Sequence, residues 1–200
     1  MTTFLIAWIV AALVLLVLAA WIGQRATGSV LGILIDARGR YSLTHFQIVL
    51  WTIVILSSAI GVLVDKGWDP KGFTIPPTLL GLMGISMGSA VLTTGVKAAK
   101  DTPGSSAVVA RVGQAVTMRD GTVKTFAASV SQIWLQEEGG FADQVVDITK
   151  FQNFIFTLVV LGFYIAIART VNGLPNLPPN VVALIGISHA GYVGGKIPNK

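Results

Sequence analysis

This 200-residue chain contains no cysteine and few charged residues. The absence of cysteine excludes disulfide frameworks, thiol nucleophiles and thiolate metal sites. Only 12% of the residues are charged, whereas a soluble domain normally has about a quarter. Together with 53% hydrophobic residues and a mean hydropathy of +0.74, this shortage of charge predicts an integral membrane protein whose solvent is partly lipid.

Groups that carry chemistry are also scarce. The predicted spans have no acidic or basic residue in their interiors, which disfavours a carrier coupled to protons or ions. The two histidines, His45 and His189, have no further residues at metal-ligand spacing. The sequence also lacks a phosphate-cradling glycine-rich loop, a nucleophile elbow and a zinc-binding helix motif. We therefore predict no enzymatic activity, no metal and no cofactor.

The apolar runs of the sequence have about the length of a membrane-spanning helix, which needs roughly 20 residues. Five transmembrane helices are predicted, over 4–22, 46–64, 79–96, 151–168 and a shorter run at 181–195. The first is expected to be retained. A cleaved signal peptide is the alternative, but no basic residue precedes the run and no clear cleavage site follows it.

The distribution of basic residues predicts the orientation of these spans. Of the 14 lysines and arginines, only Lys66, Lys71 and Arg169 fall on one side of the predicted membrane. By the positive-inside rule the other side is cytoplasmic, so the N-terminus is expected outside and the C-terminus in the cytoplasm of a prokaryotic cell. The net charge of +5 then reflects topology, and no nucleic-acid partner is predicted.

One stretch of sequence occurs twice. Residues 42–47 read SLTHFQ and precede an apolar run, a Pro-Pro pair and then Gly-Ile-Ser; residues 147–152 read DITKFQ and precede the same features in the same order. Ser42 and Asp147 are both suited to cap a helix start, and proline suits a first helical turn. Since each copy crosses the membrane twice, the copies are predicted to be parallel helical hairpins.

The predicted architecture is an all-α membrane protein with a small polar insert. Its parts are an N-terminal transmembrane helix at 1–23, a cytoplasmic connector at 24–41, a first hairpin repeat at 42–97, a cytoplasmic insert at 98–146 and a second hairpin repeat at 147–200. Within the insert, Asp120-Gly121 between two alternating runs predicts a β-hairpin, and 127–136 predicts a short amphipathic helix. A poorly ordered loop is the alternative for this segment.

Small residues recur at helical spacing in the third and fifth spans, where they are predicted to form packing seams. These helix-packing residues are Gly81, Gly84, Gly88, Gly95, Ala183, Gly186, Ala190 and Gly194. Other faces of the two spans are polar and would line a pore or a hydrated path, or bond across helices, or simply bond to their own backbone. These residues are Ser86, Ser89, Thr93, Ser188, His189 and Tyr192.

Two further sets of polar residues have expected contacts. Gln47, Gln152 and Asn153 lie near the starts of two spans and are predicted to hydrogen-bond between the two copies. Arg38 and Arg40 in the connector are candidates for binding an anionic lipid headgroup. Their alternative role is orientation and solvation.

The scarcity of chemical groups favours a membrane anchor or scaffold. We expect a homo-oligomer that contacts membrane lipid and docks a cytoplasmic protein through its basic face and insert. The alternative is an oligomeric channel or pore lined by the Ser/Thr faces of the third and fifth spans. A third class, an enzyme acting on lipid, lacks a recognisable nucleophile, base or metal set.

Overall fold

The computed structural model of the chain describes residues 2–69, 71, 73–102, 109–118 and 120–197. Within these ranges it contains α1 (Thr3–Thr27), α2 (Leu43–Asp65), α3 (Pro77–Lys100), β1 (Ala115–Thr117), β2 (Val123–Thr125), α4 (Ile148–Val171) and α5 (Pro179–Gly194). Parts of the predicted insert, 103–108 and 119, and the last three residues of the predicted second repeat lie outside the described residues. The prediction of a mostly helical chain is confirmed.

Four of the helices are long and apolar enough to cross a membrane. They are α1 to α4, with 25, 23, 24 and 24 residues. Helix α5 has only 16 residues and is about 24 Å long, which is less than the roughly 30 Å of a hydrocarbon core. By length and composition, four of the five predicted spans therefore have the expected form.

The helices begin where the local sequence signals place them. The Ser42 hydroxyl accepts a hydrogen bond from the His45 amide at 3.5 Å, at the start of α2. At the start of α4 the Asp147 carboxylate accepts from the amides of the second and third helical residues at 3.0 and 3.1 Å. Pro77 and Pro179 are the first residues of α3 and α5, where the missing N–H would have had no intrahelical partner.

Helices α2 to α5 form a four-helix bundle. α2 packs against α3 and α4, and α5 packs against the same two helices. Their shared core includes Trp51, Ile55 and Tyr164, and the rings of Trp51 and Tyr164 meet edge to face with centroids 6.2 Å apart. Helix α1 lies along α2, outside the bundle. A Cβ added to Gly61 would lie 3.1 Å from the Trp8 Cβ, so this glycine permits the close approach of α1.

The insert is a small module at one end of the bundle. Strands β1 and β2 are antiparallel, with Val116 opposite Lys124, and the turn between them contains Gly121 with φ of +81°, as the Asp-Gly pair predicts. A separate core lies beneath them and consists of Ala110, Met118, Phe126 and Ala142.

The predicted amphipathic helix at 127–136 is wrong. The structure has only a 3₁₀ helix at Val130–Ile133. Its Gln132 side chain accepts from the Ser129 amide at 3.1 Å and donates to the Ala127 carbonyl at 2.9 Å. Because these side-chain bonds satisfy the local backbone, they compete with a longer helix.

Candidate functional site

Buried ion pairs join the insert to the ends of the bundle helices. We call this region the junction; it comprises Asp36, Arg38, Arg40, Lys97, Lys100, Asp101, Glu137, Glu138, Asp143, Lys150 and Lys196. Its members come from the connector, the insert, the end of α3, the start of α4 and the residues after α5. The junction therefore ties together five segments that are far apart in the sequence.

The best-formed pair of the junction is Arg40 with Asp143. The two terminal guanidinium nitrogens donate to the two carboxylate oxygens at 2.8 and 2.6 Å, which is the bidentate geometry that suits arginine. The side chains are only 1% and 11% exposed. Gln132 also donates to Asp143 at 3.0 Å, so this pair anchors the insert to the connector.

Arg38 makes a second set of bonds in the junction. Its guanidinium group donates to Asp101 at 3.2 and 3.3 Å and to Glu138 at 3.2 Å. Lys100 also bonds to Glu138. Since Asp101 follows α3 and Glu138 belongs to the insert, Arg38 connects three segments through one buried group.

Glu137 is the most heavily surrounded carboxylate of the junction. It lies 3.1 Å from the Lys97 ammonium and 3.8 Å from that of Lys150, and Lys196 also pairs with it. Lys150 donates in addition to a backbone carbonyl, that of Leu135, at 2.9 Å. Burial, with repulsion from Lys97 and other cations, lowers the pKa of Lys196 well below its ordinary value.

The placement of Arg38 and Arg40 does not fit the expected contact with a lipid headgroup. Both guanidinium groups are buried and matched by carboxylates, so neither is open to a phosphate at the bilayer surface. Sequence reasoning missed their partners because Glu138 and Asp143 lie about a hundred residues later, in a stretch that resembles a solvated acidic loop. The basic face predicted for this end is thus largely used inside the protein.

The expected polar contacts lie in the bundle interior. Gln47 donates to Asn153 at 3.0 Å and to Thr157 at 2.7 Å, and Ser188 donates to Asn153 at 3.3 Å. Gln47 and Asn153 thus join α2 to α4, and the assignment of this contact to two copies of one hairpin stays a prediction. Gln152, next to the buried Asn153, has an exposed side chain.

The predicted polar faces of α3 and α5 point into the chain's own bundle. Ser86, Ser89, Thr93, Ser188, His189 and Tyr192 are all buried. Tyr192 shares a hydrogen bond with Thr44 at 3.4 Å, whereas Ser86 Oγ and both ring nitrogens of His189 have no partner among the described residues. A pore between subunits would therefore not be lined by these faces.

The interior of the bundle changes character along its length. The half nearest the junction contains the buried Gln47, Asn153 and Tyr192, whereas Leu79 and Leu82 are buried in the other half. The other half also contains the buried hydrogen bond between Ser58 and Tyr164.

Most of the small residues predicted to form seams lie on the outer surface. A Cβ added to Gly84, Gly88, Gly95 or Gly194 would have no atom of the described residues within 4 Å, and Ala183 and Ala190 are exposed. Only two of the set face a side chain of the same chain. Gly81 lies 3.7 Å from Val182, and Gly186 lies 3.6 Å from Ile85, in each case measured from an added Cβ.

A cleft of about 320 Å³ opens beside the junction. Its walls come from the connector, the first turn of α2 and the last turns of α3, and they include Asp36, Ser42, His45, Thr93 and Lys97. Thr93 Oγ1 and His45 Nδ1 are buried without a hydrogen-bond partner in the described part of the chain.

The described residues contain no group of three or more His, Asp or Glu side chains arranged to hold a metal ion. No protein-family model matches the chain, and neither a curated protein nor a solved structure is significantly similar to it.

Proposed function

We propose that this chain is a multi-pass membrane scaffold, in which α1 to α5 cross the bilayer and a rigid cytoplasmic module docks a protein partner. The junction is the observation that supports this proposal best. An insert held by buried, bidentate and multiply bonded charges has a fixed orientation relative to the helices. A scaffold needs such an orientation, whereas a linker that only joins two spans does not.

The docking surface in this proposal is the outer face of the β-hairpin. Ala115, Thr117 and Thr125 point outward, and Val123 is 69% exposed. Arg111 borders this face and keeps 41% of its side chain exposed. Because six basic residues of this end are engaged in the junction, we replace the expected basic docking face with this hairpin face; the six are Arg38, Arg40, Lys97, Lys100, Lys150 and Lys196.

Homo-oligomerisation is part of the proposal. The outward glycines of α3 and α5 leave space beside the helix backbone, and in lipid such surfaces favour close helix pairing through dispersion contacts. A second copy would fill the open space beside Gly84 and Gly88. The proposal thus assigns the small residues to contacts between subunits.

Cysteine labelling tests the membrane orientation. The chain has no native cysteine, so Val123→Cys and Lys71→Cys each introduce a single reactive thiol. An impermeant maleimide should label Val123→Cys only in inside-out vesicles and Lys71→Cys only in intact spheroplasts. Labelling of both thiols from the same side contradicts the orientation, and removal of the protein from membranes by alkaline carbonate contradicts membrane insertion.

A photo-crosslinking amino acid at position 123 tests docking. We expect one discrete adduct of defined mass from native membranes, which is lost when the hairpin face carries Thr125→Arg. The matched control is the same amino acid at Val17, an exposed position of α1, which should react with lipid. Solute flux from liposomes that contain the protein would favour the oligomeric channel instead.

A further inference from the structure

The cleft beside the junction contains hydrogen-bonding groups with no partner. Thr93 is 2% exposed, and its hydroxyl lines the cleft without a hydrogen bond to any described residue. His45 Nδ1 in the same wall is also buried and unbonded. A buried polar group without a partner destabilises a fold, so two such groups in the residues that line one cleft indicate that the cleft accommodates something polar.

The first turn of α2 adds backbone donors to this cleft. The first intrahelical bond joins the Phe46 amide to the Ser42 carbonyl, and the Ser42 hydroxyl caps the His45 amide. The amides of Leu43 and Thr44 precede both bonds, and Ser42 and Thr44 line the cleft. A helix N-terminus carries a partial positive charge and free N–H groups, and it therefore attracts anions.

The carboxylates of the cleft are already matched by donors. Asp36 accepts from the Lys97 ammonium at 2.7 Å and from the Arg38 and Arg40 amides at 3.0 and 3.2 Å. Asp101 accepts from Arg38 and pairs with Arg111 at 3.0 Å. With their oxygens occupied in this way, the acidic residues offer little to a cation. Among the uncommitted groups are the Thr93 hydroxyl, His45 Nδ1 and the amides that begin α2.

We infer that this cleft binds a phosphate-type oxyanion through the Thr93 hydroxyl, the His45 ring and the first amides of α2. Lys97 also lies in the wall of the cleft, where its ammonium pairs with Asp36 and Glu137. The volume of about 320 Å³ accommodates a phosphate group with part of the molecule that bears it. Inorganic phosphate and the headgroup of a phospholipid share this chemistry. The inference does not depend on the scaffold proposal.

Titration of the purified protein with inorganic phosphate tests the inference. In phosphate-free detergent solution, isothermal titration calorimetry should detect saturable binding. Thr93→Val removes the free hydroxyl while keeping the shape of the side chain, and it should weaken affinity about tenfold. Ser86→Ala is the matched control: it removes another unbonded hydroxyl of α3, one outside the cleft, and should leave affinity unchanged.

A substitution that adds a charge at the edge of the cleft separates an effect on binding from an effect on folding. Ala37 is exposed and lines the cleft, so Ala37→Glu should fold normally and weaken phosphate binding by repulsion. Ala37→Gln has nearly the same shape without the charge and should bind as the wild type does. Absence of saturable binding overturns the inference, and so does wild-type affinity in both Thr93→Val and Ala37→Glu.

Nanodiscs distinguish the two sources of the phosphate group. Native mass spectrometry of protein from nanodiscs of phosphatidylcholine with phosphatidic acid should show retained phosphatidic acid, lost in Ala37→Glu, if the ligand is a headgroup. Equal phosphate affinity in nanodiscs with and without phosphatidic acid, and no retained lipid, assigns the site to the free anion. Either result supports the inference. The absence of both phosphate binding and lipid retention refutes it.

Discussion

Replacing Asp143 by asparagine isolates the charge of the Arg40–Asp143 pair. Asparagine has almost the same shape as aspartate, and it tolerates the left-handed backbone of this position, where φ is +58°. Its amide still accepts the hydrogen bond that Gln132 donates at 3.0 Å. The variant therefore leaves the buried Arg40 guanidinium in place without its compensating negative charge.

The expected loss of stability is large for a single substitution. Removing one partner of a buried ion pair typically costs about 3–5 kcal/mol, because the remaining charge is buried and uncompensated. The pair approaches this limit, since its side chains are 1% and 11% exposed and both oxygens of Asp143 accept from Arg40. We expect Asp143→Asn to destabilise the docking of the insert by about this amount.

Native-state proteolysis measures this effect. The rate of cleavage within the insert reports the fraction of open molecules when opening and closing are fast. The double variant Arg40→Met with Asp143→Asn removes both charges and should recover most of the loss. An Asp143→Asn protein within about 0.5 kcal/mol of the wild type, or a double variant as unstable as the sum of the single variants, would refute the reasoning.

Three further outcomes are expected. Gly84→Leu should reduce assembly, measured by light scattering, without lowering the melting temperature, because the space beside Gly84 is open. Gly61→Leu should lower the melting temperature, because its side chain would force α1 away from α2. Equal melting temperatures of the two variants would contradict this contrast. Burial alone would raise the pKa of Asp36, but attraction and a hydrogen bond from Lys97, with two backbone hydrogen bonds, lower it. The stability that Asp36 provides is therefore present above its ordinary pKa of 3.8 and lost as pH falls through the folded value, so a melting series in acid should be steeper for the wild type than for Asp36→Asn. Gln47→Leu should cost about 1–3 kcal/mol in detergent unfolding, since it deprives buried groups of α4 of their donor; an unchanged midpoint contradicts a structural role for this bond.

The starts of the helices and the turn of the hairpin were predictable because their causes lie within a few residues. Ser42 and Asp147 cap helices through their own side chains. Gly121 adopts a positive φ that its lack of a Cβ permits. Such signals depend little on the rest of the fold, so a single sequence contains them.

The junction was not predictable for the opposite reason. Arg40 and Asp143 are 103 residues apart, and nothing in the sequence near either residue indicates the other. The number of basic residues in each loop predicts an orientation by the positive-inside rule. It does not predict which of those charges are neutralised by ion pairs within the fold. The expected contact of Arg38 and Arg40 with a lipid headgroup did not take account of the carboxylates that pair with them in the fold.

The helical periodicity of the sequence predicts which residues of α3 share a face, but it does not predict which of these faces is buried. The phase correctly separates Gly84 and Gly88 from Ser86 and Ser89. Which stripe is buried depends on how α3 is rotated against α2 and α5, and that rotation is fixed by large side chains such as Leu79 and Leu82. The small residues consequently point outward and the hydroxyls inward.

The short length of α5 has a consequence for the surrounding lipid. At 16 residues it falls about 6 Å short of a typical hydrocarbon core. The chain before it is extended, and there Leu177 is buried and donates its amide to Thr78 at 3.1 Å, so this non-helical backbone is shielded by protein. In the proposed orientation this shielded segment, and not a thinner bilayer, makes up the missing length on the outer side of α5.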